Sequence, residues 1–176
     1  MNMKLWKLLL SLVIMGTLLL AAGCGNGEEA KEKLEDKEKE NGEETAIITL
    51  FFLEQKEKAF HLAEEEREVQ ESEATPQTAL ELLLEGPESE EVETIIHEET
   101  ELIDINVEDG ICYANFTEEL TQGAYGSEIE LNLVKSIVHT LVQFDEIDKV
   151  QFKIEGEIPE SIAGHIYTGE PLDEEL

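Results

Sequence analysis

The strongest constraint on the fold is residues 25–44, a stretch that cannot build a core of its own. It contains nine acidic residues and four lysines, but Leu34 is its one large aliphatic side chain. A segment with so little apolar surface to bury cannot offset the entropy lost on ordering. We therefore predict that residues 24–44 form a disordered acidic tether, and that residues 45–176 form the one folded domain.

The segment before the tether has the pattern of a lipoprotein signal peptide, residues 1–23. Lys4 and Lys7 give it a basic start, and Leu8–Leu20 follows as an uncharged run too short for a comfortable membrane span. Small residues then lead into Cys24. This pattern predicts cleavage before Cys24, attachment of acyl chains such as palmitate to it, and anchoring in the lipid bilayer. The alternative is an uncleaved anchor with an incidental cysteine.

The charge excludes several classes of partner. The chain has 43 acidic residues against 12 Lys and Arg, which gives a formal net charge of −31. Nucleic-acid binding needs a basic surface that displaces counterions, so we exclude it. Electrostatic attraction to anionic lipids is excluded for the same reason. The acyl chains alone must hold the protein at the membrane.

From residue 45 onward the hydrophobic pattern alternates between strand and helix periods. The predicted elements are strands 45–53 and 59–69, a helix with Thr75 as N-cap and Pro76 at its first position, strands 102–108 and 111–116, a long helix from Ser127, and strand 150–154. In strand 102–108 the apolar residues alternate with polar ones, namely Ile103, Ile105 and Val107. The long helix has a broad apolar stripe, formed by Ile129, Leu133, Val134, Ile137, Val138 and Leu141. We also read Ser127 and Glu130 as a capping box. The order β-β-α-β-β-α-β predicts a single α+β domain, a mixed or antiparallel sheet with both helices on one face.

Turn and cap residues separate these elements. Gly86 and Pro87 are predicted to end the first helix. Asp109 and Gly110 indicate a two-residue hairpin. Thr140 lies inside the second helix, where its hydroxyl can bond back along the helix. These predicted roles are all structural.

No catalytic, cofactor or metal site emerges from the sequence. The four histidines lack the spacing of a zinc motif, and the stretch from Asp104 to Gly110 departs from a calcium loop because it alternates as a strand. Cys112 is expected to be a buried small hydrophobe. The pairs Glu98/Glu99 and Glu118/Glu119 are expected to lie on solvated faces. We therefore predict no enzyme, no cofactor and no metal.

Several stretches together resemble the GerMN domain of sporulation and spore-germination proteins, from about Thr45 to the C-terminus. They are Ala79-Leu-Glu-Leu-Leu-Leu-Glu-Gly86-Pro87, Val107-Glu-Asp-Gly-Ile111, Ala114-Asn-Phe-Thr, Val138-His-Thr140-Leu, and Val150-Gln-Phe-Lys-Ile-Glu-Gly156. The resemblance implies a fold related to ring-building domains and a non-catalytic domain that binds by its surface. It places Gly86, Pro87, Asp109, Gly110, Thr140 and Gly156 in structural positions.

The favoured function is a membrane-anchored interaction module of sporulation or germination. We expect it on the outer face of the cell membrane, in a Gram-positive-type envelope. Its expected partners are envelope or sporulation membrane proteins. Edge strands leave homo-oligomerisation open, although like charges resist it. One alternative is a general cell-envelope lipoprotein carrying the same domain outside sporulation. The other is an acidic lipoprotein that binds small ligands or cations. The acidity also suggests a saline or alkaline exterior.

Overall fold

The computed structural model describes residues 44–56, 59–123 and 126–176. The signal peptide predicted at residues 1–23, the predicted acylation of Cys24 and the predicted tether up to residue 43 fall outside these described residues. The described residues form an α+β domain, as the sequence predicts.

The first sheet is an antiparallel hairpin of β1 (Thr45–Lys56) and β2 (Ala59–Gln70). Alternate side chains of β1 point into the core, so that Ile48, Leu50 and Phe52 are buried. Both strands were predicted, and both run slightly past the predicted ends.

The second sheet has the order β3-β4-β5, from β3 (Leu102–Glu108), β4 (Ile111–Phe116) and β5 (Lys149–Ile154). Strands β3 and β4 are antiparallel and joined by the predicted hairpin turn. Strands β4 and β5 are parallel. A parallel pair needs a crossover connection, and the long helix lies within that connection.

Two helices complete the core, α1 (Pro76–Glu85) and α2 (Ser127–Val142). The Thr75 side chain caps α1 by accepting a hydrogen bond from the Thr78 N–H at 3.2 Å, with Pro76 in the first turn as predicted. Most of the apolar stripe predicted for α2 is buried, namely Leu133, Val134, Ile137, Val138 and Leu141. Short 3-10 helices occupy Glu71–Glu73 and Glu118–Thr121.

The strands are divided between two sheets, which differs from the one sheet expected from the sequence. The edge of β1 that faces away from β2 is already bonded to other elements: Gln143 and Ser136 of the α2 region and the backbone of Glu93. These contacts occupy the middle of that edge, from Thr49 to Leu53, where a strand of the second sheet would otherwise pair. Instead α1 contacts β1 and β3, while α2 contacts β1, β2 and β5, so the helices connect the sheets.

A β-bulge in β3 changes which side chains face the core. Leu102 is paired with Phe116 and Asp104 with Asn115, so Ile103 is the extra residue. Alternation predicted that Ile103 would share the inner face with Ile105 and Val107. It is 45% exposed, and Leu102 packs against the core in its place.

The two neighbouring isoleucines of β1 give a matched test of this packing. Ile48 is 1% exposed and Ile47 is 55% exposed. We expect Ile48→Ala to lower the free energy of unfolding by about 2–5 kcal/mol, because it leaves a cavity in the core. Ile47→Ala should change it by less than about 0.5 kcal/mol. Urea titration followed by circular dichroism measures both, and equal losses would contradict this assignment of the two faces.

Candidate functional site

The glycines singled out in the sequence lie at three separate turns of the fold, while Thr140 lies within α2. Gly86 ends α1 with φ +91°, a backbone conformation that favours glycine. Its carbonyl accepts a hydrogen bond of 2.9 Å from the Arg67 guanidinium of β2. The predicted helix end is therefore also the point at which the segment beginning with Pro87 is fixed to the first sheet.

Arg67 and Glu65 of β2 hold this corner together. Arg67 is only 8% exposed and donates to the Glu65 carboxylate. The same carboxylate accepts hydrogen bonds from the backbone N–H groups of Glu88 and Ser89, at 3.0 and 2.9 Å. Burial raises the pKa of Glu65, but the hydrogen bonds from Glu88, Arg67 and Ser89 outweigh burial and leave this pKa below its usual value of 4.5.

The Asp109–Gly110 turn joins β3 to β4 with positive φ at both residues, 50° and 79°, as a tight two-residue hairpin requires. The Gly110 carbonyl accepts from the N–H groups of Asp148 and Lys149, at 2.8 and 3.1 Å. A Cβ at Gly110 would lie 2.5 Å from the Asp148 carboxylate. The predicted hairpin turn thus also fixes the start of β5.

Gly156 lies in a second two-residue turn, directly after β5. Glu155 and Gly156 both have positive φ, 50° and 86°. The Gly156 N–H donates to the Asn115 side chain at 2.8 Å, and the same side chain donates to Asp104 of β3 at 2.8 Å. Asn115, which is 6% exposed, thus connects this turn with β3. Asn115 belongs to the family-like stretch Ala114-Asn-Phe-Thr, but no local sequence pattern predicts this bridging role.

The role predicted for the Thr140 hydroxyl needs correction. Its Oγ1 is buried and has no hydrogen-bond partner among the described residues. The carbonyl of Thr140 instead accepts from Gln143 Nε2 at 2.5 Å. Gln143 also bonds the backbone of Thr49, so the end of α2 is held by a side chain outside the predicted motif.

The capping box predicted at the start of α2 does not form. Gly126 is the N-cap, and no side chain caps the helix. Glu130 is fully buried, and its carboxylate accepts from the N–H groups of Ala163 and His165, both at 2.8 Å. The sequence held a signal for the burial of Glu130, because this residue stands one turn before Leu133 on the buried stripe.

The groups that could carry chemistry are dispersed. Cys112 is fully buried as predicted, and burial raises the pKa of its thiol to about 12. A thiol held protonated in this way is a poor nucleophile. Among the described residues there is no cluster of three or more His, Cys, Asp and Glu able to hold a metal ion. Nor is any helix in the described ranges long and apolar enough to cross a membrane.

A surface groove of about 570 Å³ lies between the hairpin and α2. Its lining includes Phe51, Leu62 and Lys135 together with two of the four histidines, His61 and His139. The ring of His139 lies 5.2 Å from that of Phe51. Burial lowers the pKa of His139, with a further contribution from Lys135. The groove combines apolar and charged walls.

The fold and its turns define a small α+β domain of the GerMN type. Residues 49–160 match the family model of the Germane domain, described as sporulation and spore germination. The chain belongs to this family.

Among curated proteins, the chain is similar to spore germination protein GerM of Bacillus subtilis (strain 168). The two are 34% identical over 112 residues, which is 60% of this chain and 29% of GerM. The chain therefore corresponds to less than a third of the length of that relative.

Solved structures show the same fold. The first GerMN domain of the B. subtilis sporulation protein GerM matches with a TM-score of 0.57 at 25% identity, covering 73% of this chain and 95% of that one. The tandem GerMN domains of GerM match with a TM-score of 0.60 at 22% identity, over 74% and 46%. A Clostridium perfringens protein described as a lipoprotein matches with a TM-score of 0.55 at 20% identity, over 75% and 89%.

The Glu65 contacts predict a pH-dependent contribution to stability. Because the pKa of Glu65 is lowered by folding, its contribution is present above pH 4.5 and is lost as the pH falls through the folded-state pKa. We expect Glu65→Gln to lower the free energy of unfolding by about 2 kcal/mol at pH 7. The difference from wild type should shrink towards pH 3. Glu66→Gln, at an exposed neighbour, is the control, and a loss independent of pH would contradict the assignment.

The buried Glu130 contacts predict a local effect in the C-terminal loop. Glu130→Ala leaves the N–H groups of Ala163 and His165 without their carboxylate partner. We expect faster hydrogen exchange at both amides and a loss of about 2–4 kcal/mol in the free energy of unfolding. Glu128→Ala, at an exposed position in the same helix turn, should change neither. Unchanged exchange in the Glu130 variant would show that the carboxylate does not hold the loop.

Proposed function

We propose that this chain is a lipid-anchored protein on the outer face of the cell membrane, and that its GerMN domain is a non-catalytic protein-interaction module of sporulation or spore germination. The observation that carries the proposal is the family match over residues 49–160. The similarity to GerM over 112 residues supports the same process.

The positions of the family-typical residues support a role without catalysis. Gly86 ends a helix, while Gly110 and Gly156 form turns in which two successive residues have positive φ. They lie at three different corners, and each maintains the path of the backbone. An enzyme would need nucleophile, base and charge-stabilising groups within hydrogen-bond reach of one another. The family pattern in this chain therefore maintains a shape on which binding surfaces are displayed.

Support for the lipid anchor comes from the sequence and from one structural neighbour. Small residues precede Cys24 after an uncharged run. The C. perfringens protein with the same fold is described as a lipoprotein. A net charge of −31 gives no attraction to anionic headgroups, so the proposal assigns the anchoring to acyl chains on Cys24.

The two cysteines provide a matched test of the anchor and of the role. In cells fed an alkyne-bearing palmitate, we expect labelling of the wild type and of Cys112→Ala, and loss of the label in Cys24→Ser. Cys112 is a suitable control because its side chain is fully buried. Labelling of Cys24→Ser at the wild-type level would overturn the proposed anchor.

The role itself is tested by cross-linking and affinity purification of the tagged chain from growing and from sporulating cells. Recovery of sporulation or germination membrane proteins only from sporulating cells would support the proposal. We expect this recovery to fall in Cys24→Ser and to persist in Cys112→Ala. The same partners in growing cells would instead indicate a general envelope lipoprotein and overturn the sporulation role.

A further inference from the structure

Three of the four sheet edges are covered or irregular. Along the outer edge of β1, the Thr49 N–H donates to Gln143 Oε1 at 2.9 Å, and the Thr49 carbonyl accepts from Gln143 Nε2 at 2.8 Å. The Phe51 carbonyl accepts from the Ser136 hydroxyl at 2.6 Å. Side chains of α2 and its C-cap therefore occupy the positions that another strand would need.

Backbone pairing covers further parts of the β1 and β5 edges. Leu53 and Glu93 exchange both backbone hydrogen bonds, at 2.9 and 2.8 Å. On the outer edge of β5, Val150 and Leu172 exchange theirs at 2.8 and 2.9 Å. Strand β3 has seven residues, against twelve in β2, and the bulge at Ile103 makes it irregular near its start. Such features protect sheets against pairing with further strands.

The fourth edge, the outer edge of β2, is long and regular. Backbone groups of Thr49, Phe51 and Leu53 point away from β2, and these residues are directly opposite Glu66, Glu64 and Leu62. In an antiparallel pair, directly opposite residues point their backbone groups both towards or both away from each other. The backbone N–H and C=O groups of β2 that point away from β1 are therefore those of Phe60, Leu62, Glu64, Glu66 and Glu68. Within the described ranges, no hydrogen bond from another element reaches them.

The side chains of these five residues share one face of β2, and they change along the strand from apolar to acidic. Phe60 and Leu62 are half-buried, whereas Glu64, Glu66 and Glu68 are exposed. The β1 residues opposite the three glutamates are Phe51, Thr49 and Ile47. None of these is a cation, and no described lysine or arginine forms a salt bridge with the glutamates. Lys135 of α2 lines the same groove as Glu64 without forming a salt bridge to it, so the three glutamates have no ion-pair partner among the described residues.

We propose that this outer edge of β2 is a docking edge for an extended segment of a partner protein. The segment adds to the sheet as a further strand. It carries apolar side chains next to Phe60 and Leu62, and Lys or Arg at alternate positions next to Glu64, Glu66 and Glu68. Opposite-charge and apolar cross-strand pairs both stabilise such an arrangement.

Charge favours a basic segment of a partner protein over a second copy of this chain and over the chain's own residues 25–44. A second copy of the chain would bring the same glutamates to the edge, and directly opposed like charges are unfavourable. The chain's own residues 25–44 carry nine acids against four lysines, so they also repel it. A basic segment is attracted at long range by a net charge of −31. The inference rests on the proposed function, since it names the surface and the kind of partner of the same module.

The test uses the full chain purified in detergent and a defined peptide probe. The probe has lysine at positions 1, 3 and 5, leucine at positions 7 and 9, and threonine between them, for antiparallel addition. The lysines and leucines then lie opposite the outward-pointing residues of β2, and their own N–H groups face the edge. We expect N-methylation of these residues to abolish binding, and N-methylation of the threonines to preserve it. Equal binding of both methylated peptides would show that the peptide is held by non-specific charge attraction and not by backbone pairing, which would overturn the proposal.

Hydrogen exchange at single-residue resolution locates the bound peptide. The amides of Leu62, Glu64, Glu66 and Glu68 should gain protection, because they point to the free edge. The amides of Ala63 and Glu65 should change little, since they already face β1. Protection confined to another part of the chain would overturn the assignment.

A charge reversal on the edge separates this inference from the proposed function. Glu66→Lys should weaken peptide binding about tenfold, equivalent to about 1.4 kcal/mol. Glu90→Lys makes the same change at an exposed position after α1 and should leave binding within about twofold. In cells, partner recovery that survives Glu66→Lys but depends on Cys24 would overturn the docking edge while leaving the anchored module intact. Loss of recovery with Glu66→Lys alone supports the edge.

Discussion

The packing of α2 against β1 is the contact on which the rest of the structure depends. One side of the helix buries five aliphatic side chains in the shared core. The neighbouring residues Ser136 and Gln143 hydrogen-bond the outer edge of β1. Because α2 also contacts β2, β5 and α1, it connects the two sheets through one core. Without the edge contacts, β1 would expose unpaired backbone groups, and such edges promote aggregation.

The second constraint is charge. From residue 45 onward the chain has 34 acidic and six basic residues, so almost every carboxylate must stay in water. Two exceptions show how an acidic chain uses a partly buried carboxylate, that of Glu65, and a fully buried one, that of Glu130. Glu65 holds the segment after α1, and Glu130 holds the C-terminal loop, each by accepting two backbone N–H bonds. Charge-assisted bonds of this kind are stronger than neutral ones and offset part of the cost of burial.

The sequence was informative where local patterns decide the structure. Alternation located the strands, the apolar stripe located α2, and Thr75 and the Asp109–Gly110 pair identified a cap and a turn. It failed where tertiary contacts decide. The bulge at Ile103 depends on pairing with β4, and the division into two sheets depends on side chains from α2. The role of Glu130 depends on a loop more than thirty residues away, so a local capping rule could not anticipate it.

The same division between local and tertiary effects bears on function. The residues that carry the family resemblance, such as Gly86 and Gly110, have positive φ and form turns that backbone hydrogen bonds stabilise. They define the shape of the domain. Two domains that share these turns can therefore bind different partners. Partner choice must come from exposed residues that the fold does not require. In the described structure, the glutamate row of β2 meets this condition, because its members form no ion pair and their outward backbone groups form no hydrogen bond within it.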